Sequence, residues 1–284
     1  MQWDQQESRS IYYVSHRRLE IVMIRGPFLN ALLLAGLFHF WGTATSADDH
    51  HRADPGTMVS RGEKFLVGLF DPTMDLLPEY AGAKVYWLYH DNYLAAKVLE
   101  GVDDELVRRI RERIRSAGVA SSGKIEILFG ELDHPLPFKQ FELLRVTSVG
   151  EKEIRTERVT TKDLRGWQEY ADLLALRVLG KPDDDEARQS FDRLMAMWDG
   201  KGFADRVTEV HRMYATYKLA LAILASQKLG KKIRFKDEIV SQLAAVQEES
   251  GGFRTDYDLQ GKPLGLANVE TTSMVVLALR ADRD

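Results

Sequence analysis

Polar residues able to do chemistry gather where apolar helical stretches begin. His90, Asp91 and Asn92 open one stretch, and Gln168, Glu169 and Asp172 lie at the start of a second. Glu209, His211 and Tyr214 lie at the start of a third, and Asn268 and Glu270 open a fourth. Tyr86, Trp87, Trp167, Trp198, Phe253 and Tyr257 lie around them. Carboxylates beside flat aromatic rings suit a sugar, since an acid can protonate a leaving oxygen or take up a proton while a ring covers the pyranose face. The expected catalytic set is Asp91 and Glu270 as a carboxylate pair, assisted by His211. Tyr86, Trp87, Asn92, Trp198, Tyr214, Tyr257 and Asn268 are the expected substrate-binding residues. Plainer duties compete for the same positions. Asp91 and Asn268 stand where a helix N-cap is wanted, a contribution of about 0.5–2 kcal/mol. Glu169 and Glu270 are favoured in a first turn by the helix dipole. His211 equally suits a hydrogen-bonded core or rim histidine, and tryptophans often pack between helices.

Metal and cofactor chemistry is not expected. Asp256-x-Asp258-x-Gln260-Gly261 has the start of a calcium loop, but Ala267 stands where the bidentate Glu belongs. No HExxH pairing exists, and Gly251-Gly252 is a helix stop without a phosphate-binding signature. With 0 cysteines in 284 residues, disulfides, thiolate catalysis and Cys-ligated zinc are excluded. A net charge of -4 and the lack of a basic block interleaved with aromatics argue against nucleic acid as a partner. Hydrophobic residues at 44% and charged residues at 29% are those of a globular protein with a sizeable core.

The elements that position these residues are helices. Apolar residues recur at 3- and 4-residue spacing over Arg61 to Phe70, Asp91 to Glu100, Asp104 to Ala117, Leu164 to Leu179, Asp184 to Trp198, Val210 to Leu229, Phe235 to Glu249 and Asn268 to Ala281. Some are apolar nearly all round, such as Leu219 to Ala225 and Met274 to Leu279, and must be buried. Others are charged on one side, such as the stretch around Val107, Ile110 and Ile114, and should cover the first kind. The links leading into the apolar helices are the long ones, which puts them on one face, where function usually sits. One link, about 124–160, carries β-branched and aromatic runs at Ile125 to Phe129, Phe141 to Val146 and Glu153 to Val159, and is expected to form a small antiparallel sheet.

The spacing Leu243-x3-Gln247-x3-Gly251-x-Phe253 resembles the QW motif of terpene cyclases, in which a helix ends in Gln stacked on an aromatic of the next loop. Residues 191–203 echo it, with Trp198 in the Gln position and Gly202-Phe203 following. Tyr86-Trp87-Leu88-Tyr89-His90-Asp91-Asn92 resembles the aromatic and acidic opening of an inner helix in six-hairpin glycosidases and polysaccharide lyases. The resemblance implies a mainly α fold: an (α/α) toroid or partial toroid of about four helical hairpins with a small antiparallel β insertion. It departs from those families in lacking the cyclase DxDD motif and a full six-hairpin ring, so it implies architecture more than chemistry.

Before this domain, residues Phe28 to Trp41 are almost wholly apolar, follow Arg17, Arg18 and Arg25, and precede Thr45-Ser46-Ala47. That is a signal peptide over 1–47 and an expectation of export, periplasmic or secreted. About 14 apolar residues are too few to span a bilayer, so no stable transmembrane span is expected after cleavage. Met23 gives a more ordinary signal length than Met1, which would make 1–22 an upstream mis-start. A linker over 48–60 then leads to a domain over 61–284. The expected function is acid/base hydrolysis or elimination on a carbohydrate in a cleft at the helix N-termini. The alternatives are glycan or peptide binding, or a scaffold role, without turnover, and a pocket for an isoprenoid or other lipid. No oligomeric state follows from the sequence.

Overall fold

The computed structural model describes residues 54–132, 136 and 138–281. The expected signal peptide and the start of the expected linker lie outside the described residues. In chain order the helices are α1 (Pro55–Gly68), α2 (Leu94–Val98), α3 (Asp104–Ser116), α4 (Ala171–Gly180) and α5 (Asp185–Ala196). They continue with α6 (Arg206–His211), α7 (Tyr217–Leu229), α8 (Lys236–Val246) and α9 (Val269–Arg280). Asp54 accepts from the N–H groups of Gly56 and Thr57, and Pro55 occupies the first turn, so α1 starts inside the stretch read as linker. Asp103 and Asp184 cap α3 and α5 in the same way.

Helices α4, α7 and α9 are buried on nearly every side, because Ala and aliphatic residues occupy all faces. They pack in series, α4 on α7 and α7 on α9, with α2 against α9. Helix α1 lies against α9, α3 against α2, α5 against α4 and α8 against α7. In α3 the row Leu106, Val107, Ile110 and Ile114 faces inward, and the arginines between them face out.

Strands fill much of what the helical periodicity left open. They are β1 (Val85–Trp87), β2 (Lys139–Val149), β3 (Lys152–Asp163), β4 (Met213–Ala215), β5 (Arg254–Asp258) and β6 (Pro263–Ala267). One sheet runs β1-β3-β2, with β1 parallel to β3 and β2 antiparallel to it. Val149 pairs with Lys152 across Gly150-Glu151, with Gly150 left-handed, as a tight hairpin requires. The other sheet is antiparallel, in the order β4-β5-β6.

The fold is therefore mixed α/β and not a mainly α toroid with a small β insertion. Among the described residues 49% are helical and 21% lie in strands, in two three-stranded sheets. Part of the difference is that β1, β4, β5 and β6 are short, and three of their side-chain rows are buried on both faces or carry polar residues. Such strands lack the apolar-polar alternation by which a half-buried strand is read. Ile125 to Phe129, expected as a strand, is a 3-10 helix. The Glu126 carboxylate accepts from the backbone N–H of Ser122 and Lys124 and from the Ser122 hydroxyl, and Ser122 Oγ accepts from the N–H of Lys124 and Ile125. Local side-chain bonds to the backbone overrule the β propensity there.

Candidate functional site

Three of the central helices are entered from a strand. Strand β1 runs into a π-helical turn (Leu88–Tyr93) and then α2, β4 leads into α7, and β6 ends just before α9. Helix α4 follows a 3-10 turn at Trp167–Glu169. The segment before β1 is tied to α9 as well, since Tyr80 bridges to Asn268 and the Val269 N–H donates to the Glu79 carbonyl at 3.0 Å. These connections bring Glu79, Asp91, Asp172, Tyr217 and Glu270 into one electrostatic neighbourhood with Lys124 of the 3-10 segment and Glu157 of β3.

Asp91 is 1% exposed and its Oδ2 has no hydrogen-bond partner. Burial raises its pKa well above the carboxylate range, and the charges of Glu79 and Glu270 raise it further. Glu270 is 4% exposed, with Oε1 likewise unpartnered. Burial is again the main cause of its pKa, about 8. Lys124 pulls the value down, while Glu157, Glu79 and Asp172 push it up. Both side chains are thus neutral acids at neutral pH, a state that low-dielectric surroundings impose on carboxyl groups in general.

Glu270 lines a small cavity together with Lys124, Asp172, Tyr217, Leu221 and Met274. Its volume is about 10 Å³ when measured by where the centre of a water can sit, room for roughly one water. The Tyr217 hydroxyl donates to Asp172 Oδ2 at 3.0 Å, and burial followed by the Asp172 charge keeps that phenol protonated. His90 packs on Trp87 with ring centroids 4.7 Å apart, and its Nδ1 lies 3.9 Å from Glu157 Oε2. Burial lowers its pKa; Glu157 opposes that and Lys124 adds to it.

The expected carboxylate pair, Asp91 and Glu270, is therefore brought together, and Glu270 faces the cavity. His211 ends α6, the short helix before β4. The expected substrate-binding residues are mostly bonded inside the protein. Asn92, 0% exposed, accepts from the Leu77 N–H and donates to the carbonyls of Leu77 and Trp87. The Tyr86 hydroxyl donates to Asp71, that of Tyr214 to Asp199, and that of Tyr257 to the Lys201 carbonyl. Tyr214 stacks on Tyr257, and Trp198 stacks on Phe235 at 4.5 Å. Asn268 accepts from the Thr271 N–H as the N-cap of α9.

Lys124, Tyr217 and Glu157 were not singled out from the sequence. Lys124 sits in an apolar run that reads as a strand, and Tyr217 lies inside a helix that reads as core, so neither carries a local signal. Among the described residues no group of three His, Asp or Glu side chains stands close enough to hold a metal ion. No helix among them is long and apolar enough to cross a membrane. Comparison with known protein families finds no match, and comparison with curated proteins finds none.

Proposed function

We propose that the protein performs acid/base chemistry, hydrolysis or elimination, on a carbohydrate at the cavity beside the first turn of α9. Glu270 is the proton donor in this reading. Asp172, held by the Tyr217 hydroxyl, is the acceptor side, and Asp91 acts through its charge coupling to Glu270. The observation that carries the reading is Glu270 itself: a residue that lines a cavity, has a buried carboxyl oxygen without a hydrogen-bond partner, and keeps its proton to about pH 8. A general acid works best with a pKa near the operating pH. The test is a glycan panel read for new reducing ends and for unsaturated products, with wild type, Glu270→Gln and Asp172→Asn. Glu270→Gln should lower turnover by about 100-fold or more. Full activity in that variant ends the proposal.

Binding without turnover is the second reading, and it is favoured by the cavity's size and by the internal bonding of Tyr86, Tyr214 and Tyr257. Wild type and Glu270→Gln would then bind the same glycan or peptide and convert neither.

A further inference from the structure

We propose that the seam between the Glu79–Tyr80 segment and the first turn of α9 is a pH-responsive gate that admits solvent to Glu270. It is held shut while the carboxyl groups on its two sides are neutral, and it is forced open by their repulsion once they ionise. The inference deepens the proposed reading of this site, on which it rests, by naming what controls access to it.

The closed cavity beside Glu270 has room for about one water, so anything larger that reaches this carboxyl needs an opening. The seam supplies one close to the surface. Glu79 and Tyr80 are half-buried and Ala81 and Gly82 are exposed, whereas Asn268 and Glu270 behind them are 7% and 4% exposed. Each side is braced from within. On one, Asn92 holds Leu77 and the Glu79 N–H donates to the Val85 carbonyl. On the other, the Asn268 N–H donates to the Phe253 carbonyl and the Phe253 N–H to the Thr272 hydroxyl. Across the seam run the Val269 N–H bond to the Glu79 carbonyl and the Tyr80–Asn268 bridge. Asp91 stands with Glu79 on the first side, in a π-helical turn of a kind often found at functional sites, and Glu270 stands on the second. Asp91 and Glu270 each bury a carboxyl oxygen without a hydrogen-bond partner, so an ionised form gains no bond there. The groups facing this pair include Glu79 from the segment before β1, His90 from the π-helical turn and Asp172 from α4. Tyr217 faces it from α7, Glu157 from β3 and Lys124 from the 3-10 segment. His90 is neutral at neutral pH, and among these groups Lys124 carries the one positive charge. Ionising both acids therefore leaves uncompensated negative charge on the two sides of the seam, where the low-dielectric interior strengthens its repulsion. Hydrolysis would use the gate once per cycle. Glu270 gives its proton to the leaving oxygen and becomes a carboxylate, while Asp172 takes a proton from the attacking water. Solvent admitted through the opened seam then removes the proton from Asp172 and returns one to Glu270, which closes the seam again.

The gate is read by amide exchange of the wild-type protein between about pH 6 and about pH 9, as protection factors corrected for the base catalysis of exchange itself. The Val269 N–H reports the seam, and the Leu221 N–H, in the buried α7, reports the rest of the core. The closed gate holds protons that the open one releases, so opening is favoured as pH rises toward about 8. One pKa unit of displacement is about a tenfold change in the linked equilibrium, and Glu270 is displaced by more than that. Protection at Val269 should therefore fall by about tenfold or more relative to Leu221. The ratio should stay constant in the Asp91→Asn, Glu270→Gln double variant, whose amides cannot ionise. A constant ratio in wild type, equal loss of protection at both amides, or the same fall in the folded double variant would each overturn the proposal. The wild-type measurement decides the matter even if the double variant does not fold. Gate opening without turnover on the glycan panel at any pH would remove the catalytic reading alone. Turnover with a constant ratio would remove the gate alone.

Discussion

Glu270 is the residue at which burial, charge and position meet. Its folded pKa is raised above the unfolded value of 4.5, so the folded state holds a proton that the unfolded chain releases. The resulting stability is fully present below about pH 4.5 and is lost as pH rises to about 8, with no further change from this group above that. At about 1.4 kcal/mol per pKa unit the loss is on the order of 5 kcal/mol. Asp91 works in the same direction. His90, with its pKa lowered, works in the opposite one, favouring the folded state above about pH 6.5. Urea unfolding of Glu270→Gln across pH should therefore show a flatter alkaline limb than wild type and greater stability at about pH 9. Equal slopes in the two proteins would mean that Glu270 titrates normally. Asn92 makes a different kind of prediction. Replacing it by Ala strands the Leu77 N–H and C=O and the Trp87 carbonyl in the core, a loss of about 3 kcal/mol or more. A loss below about 1 kcal/mol by denaturant titration would mean that water replaces those bonds.

At the scale of elements, one helix-end device recurs. After α5, Trp198 bridges to Phe203, and the Asp199 N–H donates to the Gly202 carbonyl; after α8, Gln247 bridges to Phe253, and the Glu248 N–H donates to the Gly252 carbonyl. The two glycines sit where a side chain cannot. A Cβ on Gly252 would lie 2.7 Å from the Phe65 ring, and one on Gly202 would lie 2.5 Å from the Tyr214 ring. Gly252→Ala should thus cost about 1–3 kcal/mol by overpacking, read as a lowered thermal midpoint. An unchanged midpoint would mean that Phe65 moves aside freely. This device was visible in the sequence as the Gln247, Gly251, Gly252 and Phe253 spacing, although Gln247 serves it differently from the resemblance. Its Nε2 donates to the carbonyls of Met58 and Gly251. The long helices were legible too, because α3, α5 and α9 have Asp or Asn caps and clean periodicity. The short strands β1 and β4 were not: each has three residues and runs directly into a helical stretch, so the apolar pattern carries through without a break. Ile125 to Phe129 misled because its composition favours β, whereas Ser122 and Glu126 close a turn around it.

Across the whole molecule, the strand-to-helix junctions matter more than the helices themselves. Strands β1 and β4 and the end of β6 deliver the π-helical turn, α7 and α9 to a shared interior, and the β2-β3 hairpin contributes Glu157 to it. The gathering of acids at helix starts was therefore readable from Asp91 and Glu270, which the chain order places far apart. Their burial was not readable, because it depends on β3 and the 3-10 segment closing over them. The aromatic residues near the same starts looked like ligand platforms for the same reason, and Tyr86 and Tyr257 instead pack in the core. Loosening the lid over the site should expose it. Glu126→Ala removes the acceptor that holds Ser122 and Lys124, and should speed amide exchange at Ser122 and Lys124 while leaving α7 and α9 protected. Equal acceleration throughout would mean that the 3-10 segment and the central helices open as one unit.

The proposed chemistry depends most directly on the protonation state of one side chain. Carbon-13 NMR of the Glu270 carboxyl, assigned by its disappearance in Glu270→Gln, should follow a titration with its midpoint near pH 8. A midpoint in the ordinary glutamate range, near 4.5, would contradict it and leave the cavity without a proton to give.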